Sequence, residues 1–464
     1  GVGTSTGAFI GFAESGPAKT PVLCTSWTQF KETFGEFTAG GYLAYSVYQF
    51  FNEGGTKCFV VRAIAAGSAK ASTAINSLTV MSDSEGAWGN KITIGISDEI
   101  PVVPGVAARA DHFKLTVLYD GAIVESFNNL TMQEAEDGHI SKKVVSDWVI
   151  LTDMGSDRPV NGNSLLQGGS DGTTSGDRRT SLIEAIDAFD TVDAINIMAI
   201  PDAMGDPVVT QKGYTYCQNR KDVFFVADTP MGLIPSSPTM GVDNFRMNIG
   251  KFNSSFGALY YPWIRVFDPL TGGTKLTPPS GAIVGTYSHT DVARGVHKAP
   301  AGIDEGYLNS VSDVEYPVSK GEHDLLNPMG VNVIRSFPGL GNVVWGARTL
   351  SADSEWKYVN VRRLFLFLEE SIDEGTQWVV FEPNTPILWG KVKRNLTAFL
   401  TRVWRDGALF GTTAEEAFFV KVDAENNPPS VVDAGQLIIE VGVAPVKPAE
   451  FVIIRISQKV LAGS

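Results

Sequence analysis

The residues of this chain that could do covalent or metal chemistry are spaced against it. His112, His139, His289, His297 and His323 never approach the HExxH or finger spacings that bring two imidazoles onto one metal. Cys24, Cys58 and Cys217 are too few and too far apart for a disulfide framework or a zinc knuckle. They read as buried thiols of a reducing compartment, with synthesis in a cytoplasm. Gly272-Gly273-Thr274-Lys275 lacks both the leading glycine and the trailing hydroxyl of a phosphate loop. Gly1-Val2-Gly3 with Gly7, and Gly339-Leu340-Gly341 with Gly346, resemble dinucleotide loops only loosely and lie before or between strands, where turn glycines are expected. Gly3-Thr4-Ser5-Thr6 superficially resembles a nucleophile loop, yet it precedes every Asp and His, whereas a subtilisin-type hydrolase places its serine last. The pairs Glu369-Glu370 and Glu415-Glu416 would point apart on a helix and read as solvated. The expectation is a protein without metal, cofactor or enzymatic turnover.

Two surfaces survive this screening. Between Pro386 and Arg405 stand Lys391, Lys393, Arg394, Arg402 and Arg405 with no carboxylate, inside a chain whose 37 Lys and Arg against 51 Asp and Glu give a net charge of −14. Such a segment is either a solvated face with a few neighbouring ion pairs or a contact helix aimed at an acidic partner, where charge steers docking and register. The stretch Phe451, Val452, Ile453, Ile454, Arg455, Ile456 and Ser457 is apolar on both faces of a strand and must be covered. Its cover is either the run 437–443 as a hairpin partner or a neighbouring subunit.

The elements that must position these surfaces follow from 464 residues that are 43% hydrophobic and 19% charged, a core-forming chain long enough for two to four domains. Its 48 glycines, scattered among apolar runs, point to many turns between short strands. The acidic balance argues against coating nucleic acid or anchoring to anionic lipid. The apolar runs 194–200 and 441–446 are far short of a bilayer span, so no membrane insertion is expected. The chain opens on Gly1 without a charged leader and apolar segment, so a secretion signal is not expected in these residues.

Residues 1–65 read as an α/β unit: strand 8–13, apolar run 22–24, a helix capped by Ser26 with Gln29 three residues on, helix 42–52, and buried strand 57–63. Residues 66–176 shift to Ser, Thr, Gly and Asp and read as an inserted, mostly β domain with strand 91–96 and a hairpin, 113–119 and 122–127, around Asp120-Gly121. In 177–325, helix 181–189, strand 194–200, a helix near 208–220 and strand 223–227 imply a doubly wound parallel sheet. In 326–464, strands 331–337 and 342–350 flank a turn. A helical stripe of Val361, Leu364, Phe365, Leu368 and Ile372 follows, with Arg362, Arg363, Glu369 and Glu370 on its wet side. A second helix, capped by Asn384 or Thr385 with Pro386 at its first position, carries Trp389, Val392, Leu396, Phe399, Leu400, Val403 and Trp404 at the same spacing. Strands 437–443 and 451–457 close the chain.

Ordered motifs add a resemblance. Pro278-Pro279-Ser280-Gly281-Ala282, Thr290-Asp291, Arg294-Gly295-Val296-His297-Lys298-Ala299-Pro300, Asn327-Pro328 with Asn332 and Arg335, and Trp345-Gly346-Ala347-Arg348-Thr349-Leu350-Ser351 come first. The run from Glu355 to Arg363, then Phe381-Glu382-Pro383-Asn384, Leu388-Trp389, Gly407-Ala408-Leu409 and Ala444-Pro445-Val446-Lys447-Pro448-Ala449-Glu450-Phe451 follow in order. Together they resemble the signature of contractile tail sheath proteins over about 1–65 and 180–464. His297 departs from the aromatic expected there.

The resemblance implies an α/β fold with a subtilisin-like domain lacking its triad in 177–325, a C-terminal sheath domain in 326–464, and 66–176 decorating the outside. It implies a homo-oligomer of helically stacked rings around an inner tube protein, with baseplate and terminal cap proteins as further partners, no direct nucleic-acid partner, and no cofactor. The particle is a phage tail or a tail-like device, including those released outside the cell. Helix 386–405 matches the tube-attaching helix and 451–457 one of two arms that add strands to adjacent subunits; the N-terminal arm is expected outside these residues. Another self-assembling tube or shell protein, or a subtilisin-type hydrolase, are the competing readings. With no fuel site, work would be stored as a metastable packing that a larger interface replaces.

Overall fold

The computed structural model describes residues 1–450 apart from 102–104, 154 and 173–177. Its fold is mixed α/β, centred on an eight-stranded sheet in the order Val22–Cys24, Cys58–Arg62, Gly7–Gly11, Ile197–Ala199, Phe224–Asp228, Gly257–Tyr261, Val331–Phe337, Gly341–Val344. The six inner strands run parallel and the two edge strands antiparallel. Parallel strands are covered on both faces, which is why these runs are apolar throughout instead of alternating. Register sets Phe9 beside Ala199 and Val226, facing a layer that holds helices Leu43–Asn52 and Ser280–Arg294. Ala8, Met198 and Phe225 align on the other face against helices Arg178–Ile186 and Pro207–Arg220. The first two helices meet backbone to backbone: a Cβ at Gly281 or Gly285 would collide with Ser46 or Phe50.

Local signals act as expected in several elements. Ser26 accepts the Gln29 N–H at 3.2 Å and begins helix Trp27–Phe34, while the Gln29 side chain reaches one residue further back, to the Thr25 N–H at 2.8 Å. Asp120 and Gly121 take φ of 50° and 83°, the left-handed pair that joins Phe113–Tyr119 to Ala122–Leu130 in a tight hairpin. That hairpin belongs to a four-stranded sheet, which with a three-stranded sheet fills the stretch from Ser72 to Leu165 around its own core of Trp88, Ile92, Phe113 and Leu115. The chain enters and leaves this stretch side by side, through the paired strands Ser68–Ala69 and Ser170–Asp171.

Past the sheet, helices Val359–Thr376 and Pro386–Arg405 share a core with the antiparallel pair Phe418–Lys421 and Glu440–Val443. Among the described residues, Glu440–Val443 pairs with Phe418–Lys421, four residues squeezed between a capping box at Thr413 and a loop, too short for periodicity to reveal. Arg362 and Arg363 do not lie on a wet face. Arg363 is buried against Asp291 at 2.6 Å, and Arg362 lies over the rings of Phe256 and Trp356, because the helix is covered on both sides at its N-terminal end. Glu370, expected to be solvated, is half-buried. Burial, then Asp222, Glu374 and Asp193, push its carboxyl up to about 7 against the opposing pull of Arg220. Cys24 and Cys58, far apart in sequence, face each other across adjacent strands as free, buried thiols.

Candidate assembly surface

Helix Pro386–Arg405 starts at Thr385, whose extended backbone makes it the N-cap, with Pro386 at the first helical position where a missing N–H costs nothing. Asn384 stands just outside. Its side chain accepts the Trp389 indole N–H at 2.7 Å and donates to the Gln436 carbonyl at 2.8 Å, tying the helix start to the segment before the last described strand. Leu388, Trp389, Val392, Leu396, Leu400 and Val403 are buried against Leu364, Leu368, Phe418 and Val420. This stripe fixes which way the rest of the helix points.

At about 100° per residue, Lys391, Arg394, Arg402 and Arg405 fall on one side opposite the buried stripe, and Lys393 falls on its flank. All five are exposed, and none takes part in an ion pair among the described residues. The solvated-face reading, which invoked neighbouring ion pairs, finds none there. Ile387, 75% exposed, begins the same side of the helix, and just before it the chain presents Trp378, Val380 and a fully exposed Phe381. Phe381 takes φ of 70°, a left-handed conformation unfavourable to a side chain with a Cβ by roughly 1–2 kcal/mol. A fully exposed aromatic in that conformation was not singled out from the sequence beyond its place in a motif. The other predicted surface, Phe451, Val452, Ile453, Ile454, Arg455, Ile456 and Ser457, lies outside the described residues.

The family model of the phage tail sheath C-terminal domain matches residues 351–459, the part of the chain that carries this helix. The tail sheath protein of Vibrio phage KVP40 is 24% identical over 311 residues, covering 66% of this chain and 43% of that protein. This chain therefore spans less than half the length of that relative. The solved helical sheath of the anti-feeding prophage in its contracted state is 25% identical with a TM-score of 0.62, covering 98% of this chain and 93% of that one. The contracted sheath of an extracellular contractile injection system, PVC, shares the fold with a TM-score of 0.65 at 22% identity, covering 99% of this chain and 93% of that one. Residues 351–459 thus match the phage tail sheath C-terminal domain, and along nearly its whole length the chain is similar to contractile sheath proteins.

One arrangement in this chain has the parts of an active site and a different job. Ser280, first residue of its helix, donates its Oγ–H to Asp228 Oδ2 at 2.7 Å and its N–H to Oδ1 at 2.8 Å. Asp228 ends a parallel strand, and both residues are buried. Burial pushes the Asp228 carboxyl up to about 7, against the lowering effect of both Ser280 bonds. No imidazole lies among these contacts, and the Asp228 carboxyl serves as a cap on the N-terminus of helix Ser280–Arg294. Sequence screening looked at Ser5 and missed this pair, because the two residues lie 52 apart and only the fold joins them. Ser5 itself offers its carbonyl to Ser288 at 3.0 Å. His289 stands apart from His297 and His323, which line one cavity without forming a pair: His323 bonds the Trp345 carbonyl at 3.0 Å, and burial pushes the half-buried His297 below the usual imidazole range.

Proposed function

We propose that this chain is the repeating subunit of a contractile sheath: identical copies stack as helical rings around an inner tube, and their rearrangement drives the tube through a target envelope. The observation that carries the reading is the exposed, unpaired cationic side of helix Pro386–Arg405 within the segment that matches the sheath C-terminal domain. Lys391, Arg394, Arg402 and Arg405, with Lys393 at the edge, form the inner-tube contact. A contact made by surface charge steers and registers while contributing little affinity per pair. That suits a hold that must be released when the sheath shortens.

In this reading the division of labour is fourfold. Residues 1–65 and 177–325 form the conserved core, the latter a subtilisin-like, doubly wound domain with no catalytic role. Residues 66–176 are an inserted outer domain, and 326–464 the sheath domain, whose stretch Phe451 to Ser457 adds a strand to a neighbour. Baseplate and cap proteins end the stack. Synthesis is in a bacterial cytoplasm, and the product is a phage tail or a tail-like particle.

The test is co-assembly of the full chain with its tube protein, viewed by electron microscopy. Tubes coated by rings that shorten and widen on triggering are expected. A lattice that keeps one length under every trigger would overturn the reading, and fluorophosphonate labelling of a serine would favour a hydrolase.

A further inference from the structure

Seven residues, 444–450, follow the two-stranded sheet, and main-chain bonding reaches only the first three of them. Ala444 and Val446 donate to the carbonyls of Ala417 at 2.8 Å and Ala408 at 3.2 Å, and the Ala444 carbonyl accepts from Phe410 N–H at 2.8 Å and that of Val446 from Asn360 Nδ2 at 3.4 Å, whereas among the described residues 447–450 have no backbone bond and Pro448 has no N–H to donate. Beside the strap lies a cavity of about 600 Å³ lined by Trp345, Tyr358, Asn360 and Val446 among others.

The strap ends on a side-chain clamp. Glu450 accepts two hydrogen bonds from the Arg348 guanidinium, both 2.6 Å, and one from the Tyr358 hydroxyl at 3.1 Å. Asn327 Nδ2 at 3.4 Å and Lys357 Nζ at 3.5 Å complete the ring of donors. A bidentate, desolvated pair of this kind is strong and directional. Arg348 is itself built into the central sheet. Its N–H donates to Asn332 Oδ1 at 2.7 Å, its carbonyl accepts from Asn332 Nδ2 at 2.8 Å, and Asn332 is fully buried in strand Val331–Phe337.

We propose that the Arg348–Glu450 pair is the anchorage of the C-terminal strap, passing the pull on whatever lies beyond Glu450 into the central sheet and sparing the two-stranded sheet. The role rests on the sheath reading, in which that continuation links neighbouring subunits. Glu450 is here a positioning residue: it sets where the linking segment starts and carries its load. Two motifs 102 residues apart, one around Arg348 and one ending in Glu450-Phe451, thereby serve one contact.

The test is Glu450→Gln in the full chain, which keeps the shape and removes the charge, read two ways. In the isolated subunit, hydrogen exchange at Val446 should rise at least tenfold while Ala444, the central sheet and the melting temperature stay as in wild type. In particles assembled with the tube protein, contracted sheaths should fracture several-fold more often. Wild-type exchange at Val446 would overturn the anchorage, as would a loss of protection spread through the whole core, which would make the pair part of the fold. Unbroken contracted sheaths would overturn the load-bearing role. If Glu450→Gln fails to fold, Tyr358→Phe and Lys357→Gln remove single contacts to the same carboxylate, and each should raise Val446 exchange by a smaller factor; no rise in either overturns the proposal. Should wild-type chains form no sheath at all, the sheath reading falls while the exchange result still decides whether Glu450 holds the strap.

Discussion

Helices Val359–Thr376 and Pro386–Arg405 lie next to each other in the chain, share one core and carry the same apolar period, yet they treat their cations in opposite ways. The first buries Arg363 on Asp291 and stacks Arg362 on two rings; the second leaves Lys391, Arg394, Arg402 and Arg405 exposed without an ion pair among the described residues. A buried cation must be matched inside its own subunit, because the cost of stripping its water falls on that subunit alone. An exposed cation remains hydrated and free to meet another surface. The contrast separates charge that holds the fold from charge available to assembly.

The largest expected effect breaks the first half of the comparison. Arg363→Met leaves Asp291 buried without its partner and should cost about 3–5 kcal/mol in denaturant unfolding; adding Asp291→Asn should recover a good part of it. The second half is addressed by reversing Lys391, Arg394 and Arg402 together to Glu. Unfolding free energy should stay within about 1 kcal/mol of wild type, as for surface changes generally. Loading onto the inner tube, read by co-sedimentation at ordinary salt, should fall on the order of tenfold or more, equivalent to about 1.4 kcal/mol. Normal loading by this variant would make the helix an ordinary surface.

Asp228 sharpens the contrast as a third case, a buried carboxyl that accepts two bonds from Ser280 and touches no cation among the described residues. Its folded pKa of about 7 lies above the ordinary range near 3.9. The folded state therefore holds the proton longer than the unfolded one. Stability from this group is complete below about pH 4 and declines as pH rises to about 7, by at most about 1.4 kcal/mol per pH unit. Unfolding of Asp228→Asn across that window should lack this slope, and identical slopes in variant and wild type would reject the assignment. The smallest effect is expected of Lys393→Glu, on the flank of the helix. It should weaken tube loading less than Lys391→Glu does, and an equal loss would mean that the contact wraps further round the helix.

Much of the architecture was readable because it rests on local rules. Ser26 can satisfy a helix N-terminus, Asp120-Gly121 can take two left-handed residues in a row, and the spacing of Leu388, Val392, Leu396 and Leu400 can bury only one side of a helix. The exposed cations of that helix followed from the same period. Periodicity failed where cover came from a distant part of the chain. Arg362 and Arg363 stand off the apolar stripe, and nothing in the neighbouring sequence shows that Asp291, Phe256 and Trp356 will close over them. Glu370 was misjudged for the same reason, since Asp193 and Asp222 reach it from another layer.

The sequence by itself determined the longer helices and several of the apolar strands, the absence of any familiar catalytic spacing, and a helix with five cations and no carboxylate. Those properties depend on residues within a few positions of one another, where the backbone geometry is known in advance. Tertiary structure alone decided which charges are spent inside the subunit and which are left for another molecule. Burial and pairing depend on what packs across the gap, as Arg348 and Glu450 show by meeting from 102 residues apart.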